Sequence, residues 1–161
     1  MPAALHNGKI NHMTEAPILI GYDGSEGAKH AIDTAAALLG PRRAIVVDIG
    51  PVITAEESLA VVAPFSPAAI FEEENTGDAL RAAREGAERA RSAGFEAEAR
   101  ADLAAPTWQG IVDAADETDA VLIVLGSRAL NGVRELVEGS VSHEVAQHAA
   151  RPVLIVPEAS R

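Results

Sequence analysis

Asp119-Ala-Val-Leu-Ile-Val-Leu-Gly126 is apolar at every position between its ends. A strand that is apolar on both faces belongs at the centre of a parallel sheet, where helices cover it from two sides. A Gly-containing loop follows, and then a helix is expected from about Ser140 to Ala149, with Val141 and Val145 facing inward and Arg151-Pro152 ending it. Pro152-Val-Leu-Ile-Val-Pro157 reads as the last strand.

The same alternation runs upstream. Pro17-Ile-Leu-Ile-Gly-Tyr22 is a short apolar run closed by Asp23-Gly24-Ser25, hence a buried strand followed by a helix N-cap at Ser25 with Glu26 in the first turn. Ala28, Ala31, Ile32, Ala35, Leu38 and Leu39 recur at helical spacing, and Gly40-Pro41 stops that helix. Arg43 to Ile49 is a second buried strand. Gly50 to Asn75 carries three prolines and the acidic run Glu72-Glu73-Glu74, and reads as a long connection with at most one short helical piece. Thr76 to Ala93 reads as a helix with Gly94 just past its end. Phe95 to Ala101 alternates apolar with charged residues, the period of an edge strand with one exposed face. Pro106 suits a helix start, and Trp108, Ile111, Val112 and Ala115 form the next helical stripe, with Trp108 read as a packing residue. The order β-α-β-α-β-α-β-α-β implies an α/β fold: one open, five-stranded parallel sheet with helices on both faces, joined by right-handed crossovers. Ligands of such sheets sit outside the C-terminal strand ends, which gathers Asp23, Ile49 and the loop after Gly126.

Composition narrows the classes. The 161-residue chain suits one domain and has 3% aromatic residues, so Ala, Val, Ile and Leu must build the core. Cysteine is absent, which excludes disulfides and thiolate metal sites and fits a reducing, cytoplasmic setting. The net charge of −11 disfavours nucleic acid and anionic membrane as partners, and no apolar run approaches a membrane span. Residues 1–16 are polar and patternless and read as a disordered extension, with Met13 an alternative start, before a domain over 17–161.

The segment from Gly126 to Ser142 carries the chemistry. It leaves a buried strand and enters a helix whose N-terminal amides and dipole suit a phosphate. Gly126 permits the turn, Gly139 permits close approach, Ser140 and Ser142 add hydroxyls, and Arg128 adds charge. A Walker A motif and a Gly-x-Ser-x-Gly elbow are absent, and Gly21, Gly24 and Gly27 depart from the dinucleotide spacing by one position. The five histidines make no metal-spaced cluster with carboxylates, and no general base or nucleophile is positioned for fast turnover.

The same segment resembles the nucleotide-binding signature of the universal stress protein family: Gly, two residues, Gly, nine residues, Gly, then Ser or Thr. Gly126, Gly139 and Ser140 match it, and Ala129 stands where the family has its second Gly. The likeness extends from Ile18-Leu-Ile-Gly-Tyr-Asp-Gly-Ser25 through Gly139-Ser-Val-Ser-His-Glu-Val145 to Arg151-Pro-Val-Leu-Ile-Val156. It implies a Rossmann-like, adenine nucleotide alpha hydrolase-like sheet of strand order 3-2-1-4-5 and a stress-response regulator or sensor that binds ATP, with Mg²⁺ held by the phosphates. The implied roles are Asp23 and Gly21 near the ribose, the Ile49 backbone at the adenine, Leu125 and Gly126 at ribose and phosphates, and Ala129, Gly139, Ser140, Val141 and Ser142 around the phosphates. It further implies a homodimer through Pro152 to Val156. Ala129 supports an alternative: a member that binds no nucleotide and works as a dimeric interaction module, because alanine costs about 1 kcal/mol if the position requires positive φ.

Overall fold

The computed structural model describes residues 15–52, 67–127 and 140–158, with side chains omitted for 67–72. The N-terminal extension as far as residue 14, most of the 50–75 connection, and Arg128, Ala129 and Gly139 lie outside the described residues.

Among the described residues nine elements alternate: β1 (Ile18–Gly21), α1 (Glu26–Leu39), β2 (Arg43–Gly50), α2 (Pro67–Ser92), β3 (Glu96–Leu103), α3 (Thr107–Glu117), β4 (Ile123–Gly126), α4 (Val141–His148) and β5 (Val153–Val156). All pairings are parallel and the strand order is β3-β2-β1-β4-β5, the expected 3-2-1-4-5. The chain reverses its direction of winding between β1 and β4, so their C-terminal ends flank the switch point.

The two faces are covered by separate apolar layers. Ile18, Ile20, Tyr22, Ala44, Val46 and Val124 pack under α1 and α2 through Ala28, Ala31, Ile32, Ala87 and Ala90. Leu19, Val47, Ile49, Ile123 and Leu125 pack on the opposite side against Ile111, Ala114 and Ala115 of α3 and Val145 of α4. Alternation along β1 and β4 feeds both layers, which is why these strands read as apolar throughout. Small alanines on the helices let them lie close to the sheet, in keeping with a core nearly free of aromatic rings.

Helix ends follow their local chemistry. The Ser25 hydroxyl accepts from the Ala28 amide at 3.1 Å, and Gly40 (φ 67°) closes α1 with its amide bonded to the Ala36 carbonyl. Gly94 (φ 109°) follows α2 in the same way. Arg89 of α2 clasps α1, donating to Asp33 at 2.5 Å and to the Lys29 carbonyl at 3.3 Å.

Four expectations are corrected. The helix expected from Thr76 starts at Pro67 and runs 26 residues, so the C-terminal part of the 50–75 connection is helical. The strand expected from Asp119 starts at Ile123, because Asp119 (φ 50°) sits in the turn that ends α3 and the Ala120 amide still bonds back to the Ala115 carbonyl. Leu38 is 67% exposed: it lies at the margin of the apolar stripe, and its neighbour Leu39 is the one that packs against the core. Val141 is 41% exposed while Ser142, at 9%, takes the inward position with Val145; in so short a helix the buried face runs at i, i+3.

Candidate functional site

The candidate site lies at the C-terminal ends of β1, β2 and β4, where the chain turns into α1 and α4. Gly21 ends β1 beside Leu125 of β4: a Cβ on Gly21 would stand 2.5 Å from the Leu125 Cδ2 and 3.9 Å from the Ile111 Cδ1. Gly126 ends β4 against the first turn of α1. A Cβ there would fall 2.5 Å from the Gly27 carbonyl carbon and 2.9 Å from the Ala28 amide nitrogen, both backbone atoms. Only a glycine lets β4 and α1 approach to this distance. The Ser127 amide then bonds to the Val156 carbonyl at 2.8 Å, so the chain leaves β4 still tied to β5.

Asp23 follows β1 and is exposed; its Oδ1 accepts from the Ser25 amide at 3.0 Å, which shapes the turn leading into α1. The Tyr22 amide, one residue before, donates to the Val47 carbonyl at 2.9 Å and holds the ends of β1 and β2 together. Ile49 is buried at the end of β2 and lies against α3, where a Cβ on Gly110 would meet the Ile49 Cγ2 at 3.0 Å. At α4, the Ser140 hydroxyl accepts from the His143 amide at 3.2 Å and lies 3.4 Å from the Ser142 hydroxyl. Two hydroxyls thus stand together at a helix N-terminus, an arrangement suited to an anion. Val141, exposed between them, offers its backbone amide in the first turn, where amides lack intrahelical partners.

Gly21, Asp23, Ile49, Leu125 and Gly126 therefore gather at one edge of the sheet, and Ser140, Val141 and Ser142 open the helix that returns from that edge. Arg128, Ala129 and Gly139 lie in the undescribed connection between them. Backbone closeness at Gly126 and the paired serine hydroxyls fit a phosphorylated ligand. Among the described residues, no three His, Cys, Asp or Glu side chains form a set able to hold a metal ion. No described helix is long and apolar enough to cross a membrane.

Two residues of this edge were not singled out from the sequence. The Tyr22 hydroxyl is buried and donates to the Glu85 Oε1 of α2 at 2.7 Å; burial, then that bond, raise its pKa well above the usual tyrosine range. Asp48 is half-buried next to Ile49, and its carboxyl is pushed up to about 6. Burial is the main cause and the Asp23 charge adds to it, against a lowering from the Ile49 backbone. An acid inside the apolar run of β2 was the available signal. Trp108 is partly buried against the α3 layer and stacks on His148 with ring centroids 4.4 Å apart, a packing role as expected.

Comparison with known proteins agrees with this architecture. The profile of the Universal stress protein family matches residues 16–157. The universal stress protein YxiE of Bacillus subtilis is 32% identical over 146 residues, spanning 86% of this chain and 97% of its own. Among solved structures, hypothetical protein MJ0577 superposes with a TM-score of 0.71 at 21% identity, covering 92% of this chain and 99% of its own. A universal stress protein in complex with cAMP superposes with a TM-score of 0.64 at 28% identity, covering 91% of this chain and 99% of its own.

Proposed function

The chain belongs to the universal stress protein family, and on that premise we propose that it binds an adenine nucleotide at the β1–β4 switch point and acts as a stress-response regulator or sensor. The observation that carries this reading is the packing of Gly126 onto the Gly27 backbone, which brings the end of β4 against the first turn of α1 at that edge. The Ser140 and Ser142 hydroxyls, 3.4 Å apart at the start of α4, supply phosphate donors. The 28%-identical relative in complex with cAMP supports the adenine class. Within that class we favour ATP, with Mg²⁺ carried by the phosphates. Gly21 and Asp23 border the ribose, the Ile49 backbone meets the adenine, and Arg128, Ala129 and Gly139 complete the phosphate loop.

The same reading includes a cytoplasmic homodimer. Among the described residues β5 is an edge strand whose outer side has no partner in the sheet, and its residues Val153, Leu154 and Ile155 are only partly buried. That edge also supports the second reading, a dimeric interaction module without nucleotide. Mass spectrometry of small molecules released from the purified protein discriminates them: adenine nucleotide in stoichiometric amount is expected. Its absence, together with failure to load the protein with added nucleotide, favours the module. Light scattering tests the dimer, and a monomer at every concentration removes it.

A further inference from the structure

This inference rests on the nucleotide reading above and concerns how that site tells adenine from another base. β2 outruns β1. Their register closes with Gly21 opposite Val47, and the Tyr22 amide then donates to the Val47 carbonyl at 2.9 Å. Asp48, Ile49 and Gly50 continue past that point. Successive carbonyls of a parallel strand turn to opposite neighbours. The Val47 carbonyl faces β1, and the Gly50 carbonyl faces β3, where it accepts from the Ala104 amide at 3.1 Å. The Ile49 carbonyl therefore turns to the β1 side, beyond the end of that strand. An acceptor there suits the exocyclic amine of adenine and opposes the oxygen that guanine carries at the same ring position.

The other sides of this strand end are held. A Cβ on Gly50 would stand 3.1 Å from the Asn75 carbonyl oxygen and 3.4 Å from the Ala79 Cβ, both on α2, and 2.7 Å from the Leu103 Cδ2 of β3. From the opposite face, α3 comes so near that a Cβ on Gly110 would meet the Ile49 Cγ2 at 3.0 Å. A side-chain bond fastens the chain as it leaves the sheet: the Asn75 Nδ2 donates to the Pro51 carbonyl at 3.1 Å.

Asn75 also occupies a particular place in its helix. α2 packs with Gly86 on Val46 and Ala79 on Gly50, so it runs antiparallel to β2, and residues 67–78 project past the end of the strand. That projection spans roughly 18 Å at 1.5 Å per residue. Glu73, Glu74, Thr76, Gly77 and Asp78 are exposed there, and Asn75 is half-buried. Asparagine is a poor helix former, yet here its side-chain amide ties the projecting start of α2 to the residue after β2. We propose that Asn75 is a positioning residue for base recognition: by pinning Pro51 it fixes where the Ile49 carbonyl meets the base.

The test is isothermal titration of the full chain, of Asn75→Ala and of Asn75→Asp with cAMP and with cGMP, which share ribose and phosphate and differ only in the base. The unsubstituted protein is expected to prefer cAMP. Asn75→Ala removes the donor and places a better helix former in α2, so it is expected to fold. Its preference for cAMP is expected to fall about three- to tenfold, the effect of one hydrogen bond. Asn75→Asp has the same size and sets a carboxylate against the Pro51 carbonyl; it is expected to lose at least as much. Hydrogen exchange of the unsubstituted protein supplies a readout without a variant: at equal saturation, cAMP is expected to slow the amides of residues 75–79 more than cGMP does. An unchanged preference in both variants, an equal weakening of both ligands, equal affinity of the unsubstituted protein for the two, or protection of α2 that ignores the base overturns the role of Asn75 and leaves the nucleotide site standing. If neither cyclic nucleotide binds the unsubstituted protein, the nucleotide reading itself fails and the positioning role fails with it.

Discussion

Gly126, the last residue of β4, lies so close to Gly27 in the first turn of α1 that a Cβ on Gly126 would stand 2.5 Å from the Gly27 carbonyl carbon and oxygen. The contact is backbone against backbone, so neither side can yield by turning a side chain. It fixes the distance between the central strand and the helix that begins beside Asp23.

Gly126→Ala is therefore expected to lower stability by about 1–3 kcal/mol, the cost of forcing a methyl group into a packed site, and to weaken nucleotide binding. Gly21→Ala meets only the flexible end of the Leu125 side chain and is expected to cost clearly less. Urea denaturation of both variants checks the ranking; a Gly126→Ala midpoint equal to that of the unsubstituted protein contradicts it.

Asp48 has a folded-state pKa of about 6 against an ordinary value of 3.8. A group whose folded pKa is raised contributes its stability below the unfolded value, and that contribution is lost as pH rises through the folded one. Ionised Asp48 thus weakens the fold at neutral pH. Asp48→Asn is expected to be more stable than the unsubstituted protein at pH 7.5, by about 1–2 kcal/mol after allowing for solvent screening of a half-buried group. The advantage fades as pH falls from 6 toward 4. Urea midpoints at several pH values measure it, and a constant difference across that window contradicts the assignment.

Tyr22→Phe removes the hydroxyl that reaches Glu85 across the α2 layer. Glu85 is exposed and regains water, so the loss is expected to be about 0.5–1.5 kcal/mol. The Tyr22 pKa is raised in the folded state, so its contribution is complete below about pH 10, the ordinary tyrosine value, and declines above it. The stability difference between Tyr22→Phe and the unsubstituted protein should accordingly shrink above pH 10, as thermal melts across that range would record.

Ser140→Ala removes the N-cap of α4 and with it the acceptor for the His143 amide. A loss of about 1 kcal/mol in stability is expected, with a fall in nucleotide affinity from the missing hydroxyl. Ser140→Asp restores the cap but brings a negative charge to the phosphate donors. It should recover stability and not affinity, and that split separates a capping role from a ligand role; recovery of both would assign Ser140 to capping alone.

Much of this was legible in the sequence because it depends on period and punctuation. Ile18 to Ile20 and Ile123 to Leu125 are buried on both faces and read so; Gly40 and Gly94 end helices through positive φ. The start of α2 was not legible. Asn75-Thr76-Gly77 resembles a boundary, yet Gly77 sits in open space, where a missing side chain disturbs no packing. Val141 and Leu38 read as apolar positions of their helices but lie beside the buried stripe, where Ser142 and Leu39 turn inward in their place. Gly126 was found because the turn out of β4 demands its residue type, Asp23 because it follows the first strand at the C-terminal edge of the sheet, and Gly21 through the family resemblance. Asp48 was passed over because its raised pKa comes mainly from burial beneath α2, which only the fold brings about.

The central claim is that this edge of the sheet binds an adenine nucleotide. Isothermal titration of the full chain with ATP and Mg²⁺, with cAMP and GTP in parallel, tests it most directly. Saturable binding of one adenine nucleotide per chain, weakened in Ser140→Ala and in Gly126→Ala and much weaker for GTP, is the predicted result. No heat of binding from either adenine nucleotide at millimolar concentration would contradict it.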